Sequence, residues 1–208
     1  MTNWDKCINE LGTIGVGTFD VPNHFLKLLK DNISNKHKRN TNLAGHIKNE
    51  HGYEKWPDEL EQFLINSGVN NKNLMDYTDS IKVLTKGLPF VLDSLWVNRQ
   101  KKYEFNPPHN HEGVWSFIIF LQIPYKLEDE NKVFPKTSHL TPQTSRLNFF
   151  FLNNFGEIFD WPVDVDKSFE GKMLMFPAHT PHIVYPFYTS DGVRRTVSGN
   201  LIFKNEKF

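Results

Sequence analysis

Cysteine is nearly absent from this chain of 208 residues: Cys7 is the only one. An intrachain disulfide is therefore excluded, and so is a zinc cluster built on several thiolates. Net charge is absent too, because 24 Lys and Arg balance 24 Asp and Glu. Without a global field, a grip on nucleic acid would need a local basic patch, and none stands out in the sequence; no nucleic-acid partner is expected. Long apolar runs are missing as well. The longest, Phe117 to Leu121 and Phe149 to Leu152, are strand-sized, far short of the ~18 residues of a membrane span. The N-terminal residues Met1 to Lys6 lead into no apolar signal core, so the expectation is a soluble, cytoplasmic protein with no membrane partner. What is present is aromatic: 18 Phe, 6 Tyr and 5 Trp are ample for a packed core and foreign to disordered chains.

Texture changes along the chain. Residues 1–90 read as a helical N-terminal region packed on a core that spans 91–208, the two forming one integrated domain. Pro22 to Ile33 carries Phe25, Leu28 and Leu29 on one helical stripe, with Asn23 as a candidate cap. The Asn-rich, basic stretch Asn32 to Asn42 reads as a solvated loop. Further helices are expected after Pro57, with acidic residues at the start and a stop near Gly68, and over Asn73 to Thr85. From Phe90 on, short apolar runs alternate with Pro, Gly and Asn, which predicts strands near 92–100, 115–123, 145–152, 157–160, 172–177, 182–187 and 194–203. Helices followed by many short strands make a mostly β chain of α+β type, an antiparallel sandwich or barrel with the jelly roll among the possibilities.

Nine histidines are present. His24, His37, His46, His51 and His139 have no partner at useful spacing, and an ordinary surface or core role is expected for them. Four others stand in P-P-H-N-H-E-G (His109, His111) and F-P-A-H-T-P-H-I-V (His179, His182). In an extended chain residues i and i+2 share a face, so His109 and His111 can aim at one point. An H-x-H pair also arises by chance, and a metal site needs a third ligand, for which His182, opening another apolar strand, is the natural candidate. If 194–200 is extended, Arg194, Thr196, Ser198 and Asn200 share a face that is poor as core and good as a carboxylate receptor. The alternative for Arg194 is a surface ion pair with Asp191.

The blocks Trp96-Val97-Asn98, Glu104 to Gly113 and Ser116 to Ile119, then Gly171 to His182 followed by Arg194-x-Thr196, resemble 2-oxoglutarate-Fe(II) oxygenases of phages and marine bacteria. Asn42 to Glu50 resembles the segment that precedes the core in that group. The resemblance implies a double-stranded β-helix that binds Fe(II) and 2-oxoglutarate. It implies ligands at His109, His111 and His182, a basic anchor at Arg194 for the distal carboxylate, Thr196 beside it, and Asn98 and Gln100 as further residues of the cosubstrate pocket. The activity it implies is hydroxylation of an unknown substrate coupled to decarboxylation of 2-oxoglutarate to succinate. The chain departs from the wider superfamily where His111 stands in place of Asp or Glu; Glu112 is the alternative ligand. Two rival functions follow, a cupin-type three-histidine dioxygenase needing no 2-oxoglutarate and a non-enzymatic metal-binding β-sandwich. Phe117, Phe120, Phe149, Phe151 and Phe176 are candidates for a water-excluding wall, with core packing as the alternative for each. The mixed charge of loops 126–144 and 153–170 leaves a small molecule and a protein both open as substrate, and aromatics of the N-terminal helices allow a homodimer.

Overall fold

The computed structural model of the protein describes residues 15–31, 37–38, 45–81, 87–134, 143–152 and 155–204. Cys7, His139 and most of the Asn-rich stretch lie outside them, as do 82–86 at the end of the third expected helix.

Among the described residues, eleven strands form two antiparallel sheets. The larger has the order β1 (Gly17–Asp20), β9 (Lys172–Pro177), β6 (Trp115–Gln122), β11 (Arg194–Phe203), β4 (Phe90–Gln100), β3 (Glu50–Gly52), β2 (His37–Lys38). The smaller has the order β5 (Asn106–His109), β10 (His182–Val184), β7 (Leu147–Leu152), β8 (Ile158–Val163). Facing one another, these sheets make a double-stranded β-helix, and every strand expected after Phe90 is present. The strands that patterning missed, β1, β2, β3 and β5, have two to four residues, too few for an alternation to register.

Three helices, α1 (Asn23–Asp31), α2 (Asp58–Val69) and α3 (Lys72–Ser80), lie on the outer face of the larger sheet. Asn23 is itself helical; the carbonyl of Pro22 accepts the first bonds, from the amides of Phe25 and Leu26. The buried stripe of α2 is Leu60, Leu64 and Gly68 at four-residue steps. Gly68 is required there because a Cβ would stand 2.3 Å from the Trp115 ring.

β6 is buried on both faces, so its alternation separates two cores. Trp115, Phe117, Ile119 and Leu121 pack under the helices, whereas Ile118 and Phe120 point between the sheets. Phe117 and Phe120, an odd number of residues apart, therefore cannot share one wall. β4 and β11 alternate likewise, with Val97, Val197 and Leu201 toward the helices and Asn98, Gln100, Arg194, Thr196 and Ser198 toward the space between the sheets.

Candidate metal centre

The cross-strand register of the smaller sheet puts His182, the first residue of β10, directly opposite His109, the last of β5. Their ring centroids are 4.3 Å apart. His111 arrives differently. It lies just past the end of β5, where its amide donates to the carbonyl of Ala178 at 2.8 Å, and its ring stands 5.0 Å from His109 and 5.1 Å from His182. The ligand atoms of these three histidines all lie within 4.8 Å of one another. Nitrogens that share one ion at ~2.0–2.1 Å stand ~3–4 Å apart, so the three rings would hold one after drawing in by at most about 2 Å.

Their protonation suits a metal. Nδ1 of His109 is 2.7 Å from the carbonyl of Pro107, and Nδ1 of His182 is 3.0 Å from that of Thr180. A carbonyl only accepts, so in both rings Nδ1 carries the hydrogen and Nε2 keeps its lone pair. Burial pulls the His109 imidazole below its ordinary value, against the opposing pull of Pro107. His182 is held well below 6.5, first by burial and then by the two neighbouring imidazoles. Phe149 and Phe176 flank its ring at 5.8 and 5.0 Å. Glu112 is exposed and lies outside the histidine group.

Beyond the histidines the same cavity is lined by Asn98, Gln100, Arg194, Thr196 and Ser198. All seven residues singled out as metal or cosubstrate candidates therefore face one space. Arg194 is 3% exposed, and its Nη1 donates to the Tyr125 hydroxyl at 2.9 Å and to the carbonyl of Ser145 at 2.8 Å. Ser145 has φ 64°, an uncommon left-handed geometry for a residue with a side chain. Among the described residues Nε and Nη2 of Arg194 have no partner, which leaves one edge of the guanidinium for a ligand. The surface alternative does not form: Asp191 instead lies 3.5 Å from Lys102.

Asn98 and Gln100 are less free. With its amide nitrogen turned to Glu50, Asn98 donates to the two carboxylate oxygens at 3.2 and 3.1 Å. Gln100 donates through Nε2 to the carbonyls of Glu104 and Tyr185. Of the five Phe expected to form a wall, only Phe120 lines the cavity; Phe117 lies in the helix-side core, and Phe151 stacks on Phe159. Glu50, Tyr125 and Ser145 escaped the sequence reading. Glu50 sits on a three-residue strand, and no local pattern marks Tyr125 or Ser145 as neighbours of an arginine far along the chain.

Residues 94–200, from β4 into β11, match the sequence model of a family described as "Putative 2OG-Fe(II) oxygenase". No curated protein matches the sequence. Among solved structures, a prolyl-4-hydroxylase from Pseudomonas putida is similar, with 13% identity, coverage of 96% of this chain and 98% of that one, and a TM-score of 0.52. HygX from Streptomyces hygroscopicus, with nickel and 2-oxoglutarate bound, is similar at 8% identity, 98% and 87% coverage and a TM-score of 0.52. An oxidoreductase of the 2OG-Fe(II) oxygenase family from Burkholderia pseudomallei follows at 10% identity, 98% and 90% coverage and a TM-score of 0.50. At such identities these likenesses establish the fold.

Proposed function

The chain belongs to the 2OG-Fe(II) oxygenase family, and from that premise we propose that His109, His111 and His182 hold its iron while Arg194 and Thr196 anchor 2-oxoglutarate. The observation that carries this reading is the cavity itself, which has three histidines at one end and a buried guanidinium with a free edge further in. Iron with 2-oxoglutarate and dioxygen supplies an oxidant for a substrate C–H bond, leaving succinate and carbon dioxide.

The chain's own part is to bind, orient and keep dry. Carbonyls of Pro107 and Thr180 fix two of the imidazoles with Nε2 presented. Tyr125 and Ser145 occupy one nitrogen of Arg194 and so aim the remainder at a carboxylate, the planar fork being suited to two parallel bonds. Ile118, Phe120, Leu147 and Val184 supply apolar lining, which strengthens each charged contact by excluding water. The donors of Asn98 and Gln100 are already engaged, so these two act by shaping the pocket. Three imidazoles bring no negative charge to the ion, unlike the two-histidine, one-carboxylate set. The exposed position of Glu112 argues against that residue making up the difference.

The test is anaerobic titration of the Fe(II)-loaded protein with 2-oxoglutarate, followed by a succinate assay. A 2-oxoglutarate-dependent absorption band that is absent from Arg194→Ala supports the assignment. A band of equal strength and affinity in that variant would overturn it, and turnover without succinate would point to a cupin-type dioxygenase.

A further inference from the structure

An open apolar groove lies on the outside of the metal centre. Leu152 of β7 and Ile158 of β8 line it from the smaller sheet, and Tyr77 of α3 and Pro177 of β9 line it from the helix side. Pro108 and Pro181, which directly precede His109 and His182, complete it. Leu152 and Ile158 stand opposite each other across the two strands, and each is 72% exposed. A contiguous apolar face of this kind marks a place where something docks.

One segment of the chain is delivered there. β1 is an edge strand of the larger sheet and runs antiparallel to β9, with Gly17 opposite Met175. Two residues further back, a Cβ at Gly15 would lie 2.8 Å from the Pro177 ring and 3.1 Å from Cβ of Tyr77. The backbone of Gly15 therefore rests against two residues of the groove, and its φ of 71° turns the chain at that point. Residues 1–14, which precede it, lie outside the described residues.

The sequence of that segment matches the surface to which it leads. Trp4, Cys7, Ile8, Leu11 and Ile14 recur at i, i+3, i+4, i+7 and i+10, which is one apolar stripe of a helix, and Asp5, Lys6, Asn9 and Glu10 fall off it. An isolated helix of such length is marginal in water and owes its stability to packing of the stripe. Attachment at Gly15 gives the segment an effective concentration at the groove on the order of millimolar. That advantage favours the chain's own segment over a second copy arriving from solution.

We propose that residues 1–14 fold back as an amphipathic helix onto this groove, with the stripe from Trp4 to Ile14 against Leu152, Ile158 and Pro177. The docked segment closes the outer side of the stretches that lead into His109 and His182. The inference is independent of the oxygenase reading.

Cys7, the single cysteine of the chain, lies on the stripe and reports the contact through its access to a thiol reagent. In the full-length protein it is expected to react with 5,5′-dithiobis(2-nitrobenzoate) about tenfold more slowly than in a synthetic peptide of residues 1–14, at a rate independent of protein concentration. Leu152→Glu combined with Ile158→Lys places an opposite-charge pair across the two strands, which keeps them paired and makes the groove polar. The pair should bring Cys7 to the rate of the peptide. If that variant fails to fold, as read by circular dichroism, Leu152→Ser alone carries the same test with a smaller acceleration. Trp4→Ala, which leaves the groove intact, should release the thiol as well. Equal rates in protein and peptide would overturn the proposal, and so would protection that survives the groove variant or Trp4→Ala. Protection that fades on dilution would assign the groove to a second copy and overturn it equally.

Discussion

At the scale of single residues, the roles proposed for His182 and Arg194 separate experimentally. His182 sits at the start of β10 facing His109, fully buried and tautomerically fixed by Thr180. His182→Ala should abolish stoichiometric metal binding, read by metal analysis after gel filtration. Arg194→Ala should keep the metal and lose the 2-oxoglutarate band, because the hydrogen bonds of the guanidinium go to Tyr125 and Ser145. Tyr125→Phe is the milder companion. It removes one bond to Nη1 of Arg194 and leaves the Ser145 carbonyl in place. One hydrogen bond to a charged group is worth ~1.5 kcal/mol, so 2-oxoglutarate affinity should fall about tenfold with metal affinity unchanged. No drop in that titration would mean that Tyr125 has no part in aiming the anchor.

At the scale of elements, the helices serve the site by burying the far side of the strands that build it. Leu64 of α2 and Trp115 of β6 are both fully buried in the helix-side core. Leu64→Ala should destabilise the protein by about 2–5 kcal/mol through lost burial and the cavity left behind, seen as a lower urea midpoint. Gly68→Ala should also destabilise, by roughly 1–3 kcal/mol, because its Cβ would meet the Trp115 ring. Gly52→Ala, with nothing within 4 Å of a new Cβ, is the matched control and should be close to neutral. Similar costs for the two glycine substitutions would show that backbone freedom, and not the Trp115 contact, fixes the glycine in α2.

At the scale of the whole molecule, the buried histidines make the metal-free protein sensitive to acid. His182 and His109 are both pulled below the ordinary 6.5 in the folded chain, so as pH falls through 6.5 the unfolded state takes up protons that the folded state refuses. Stability is therefore fully present above pH 6.5 and declines below it. The urea midpoint of the metal-free protein should drop over that range, with a shallower drop in His182→Phe, and saturating metal should raise it by mass action. An unchanged pH slope in His182→Phe would remove that histidine from the account. The strands after Phe90 other than β5, the stripe of α2 and the residue types of the centre were legible in the sequence, because periods of 2 and 3.6 and the chemistry of imidazole and guanidinium are local properties. Not legible were Glu50 on its three-residue strand and Tyr125 and Ser145 beside Arg194. These depend on which strands are neighbours and in what register, which is set by two sheets closing on each other across long stretches of chain. The imidazoles and the guanidinium are written in the sequence, and the tertiary structure decided that they face one cavity, because that depends on which distant strands pair and in what register.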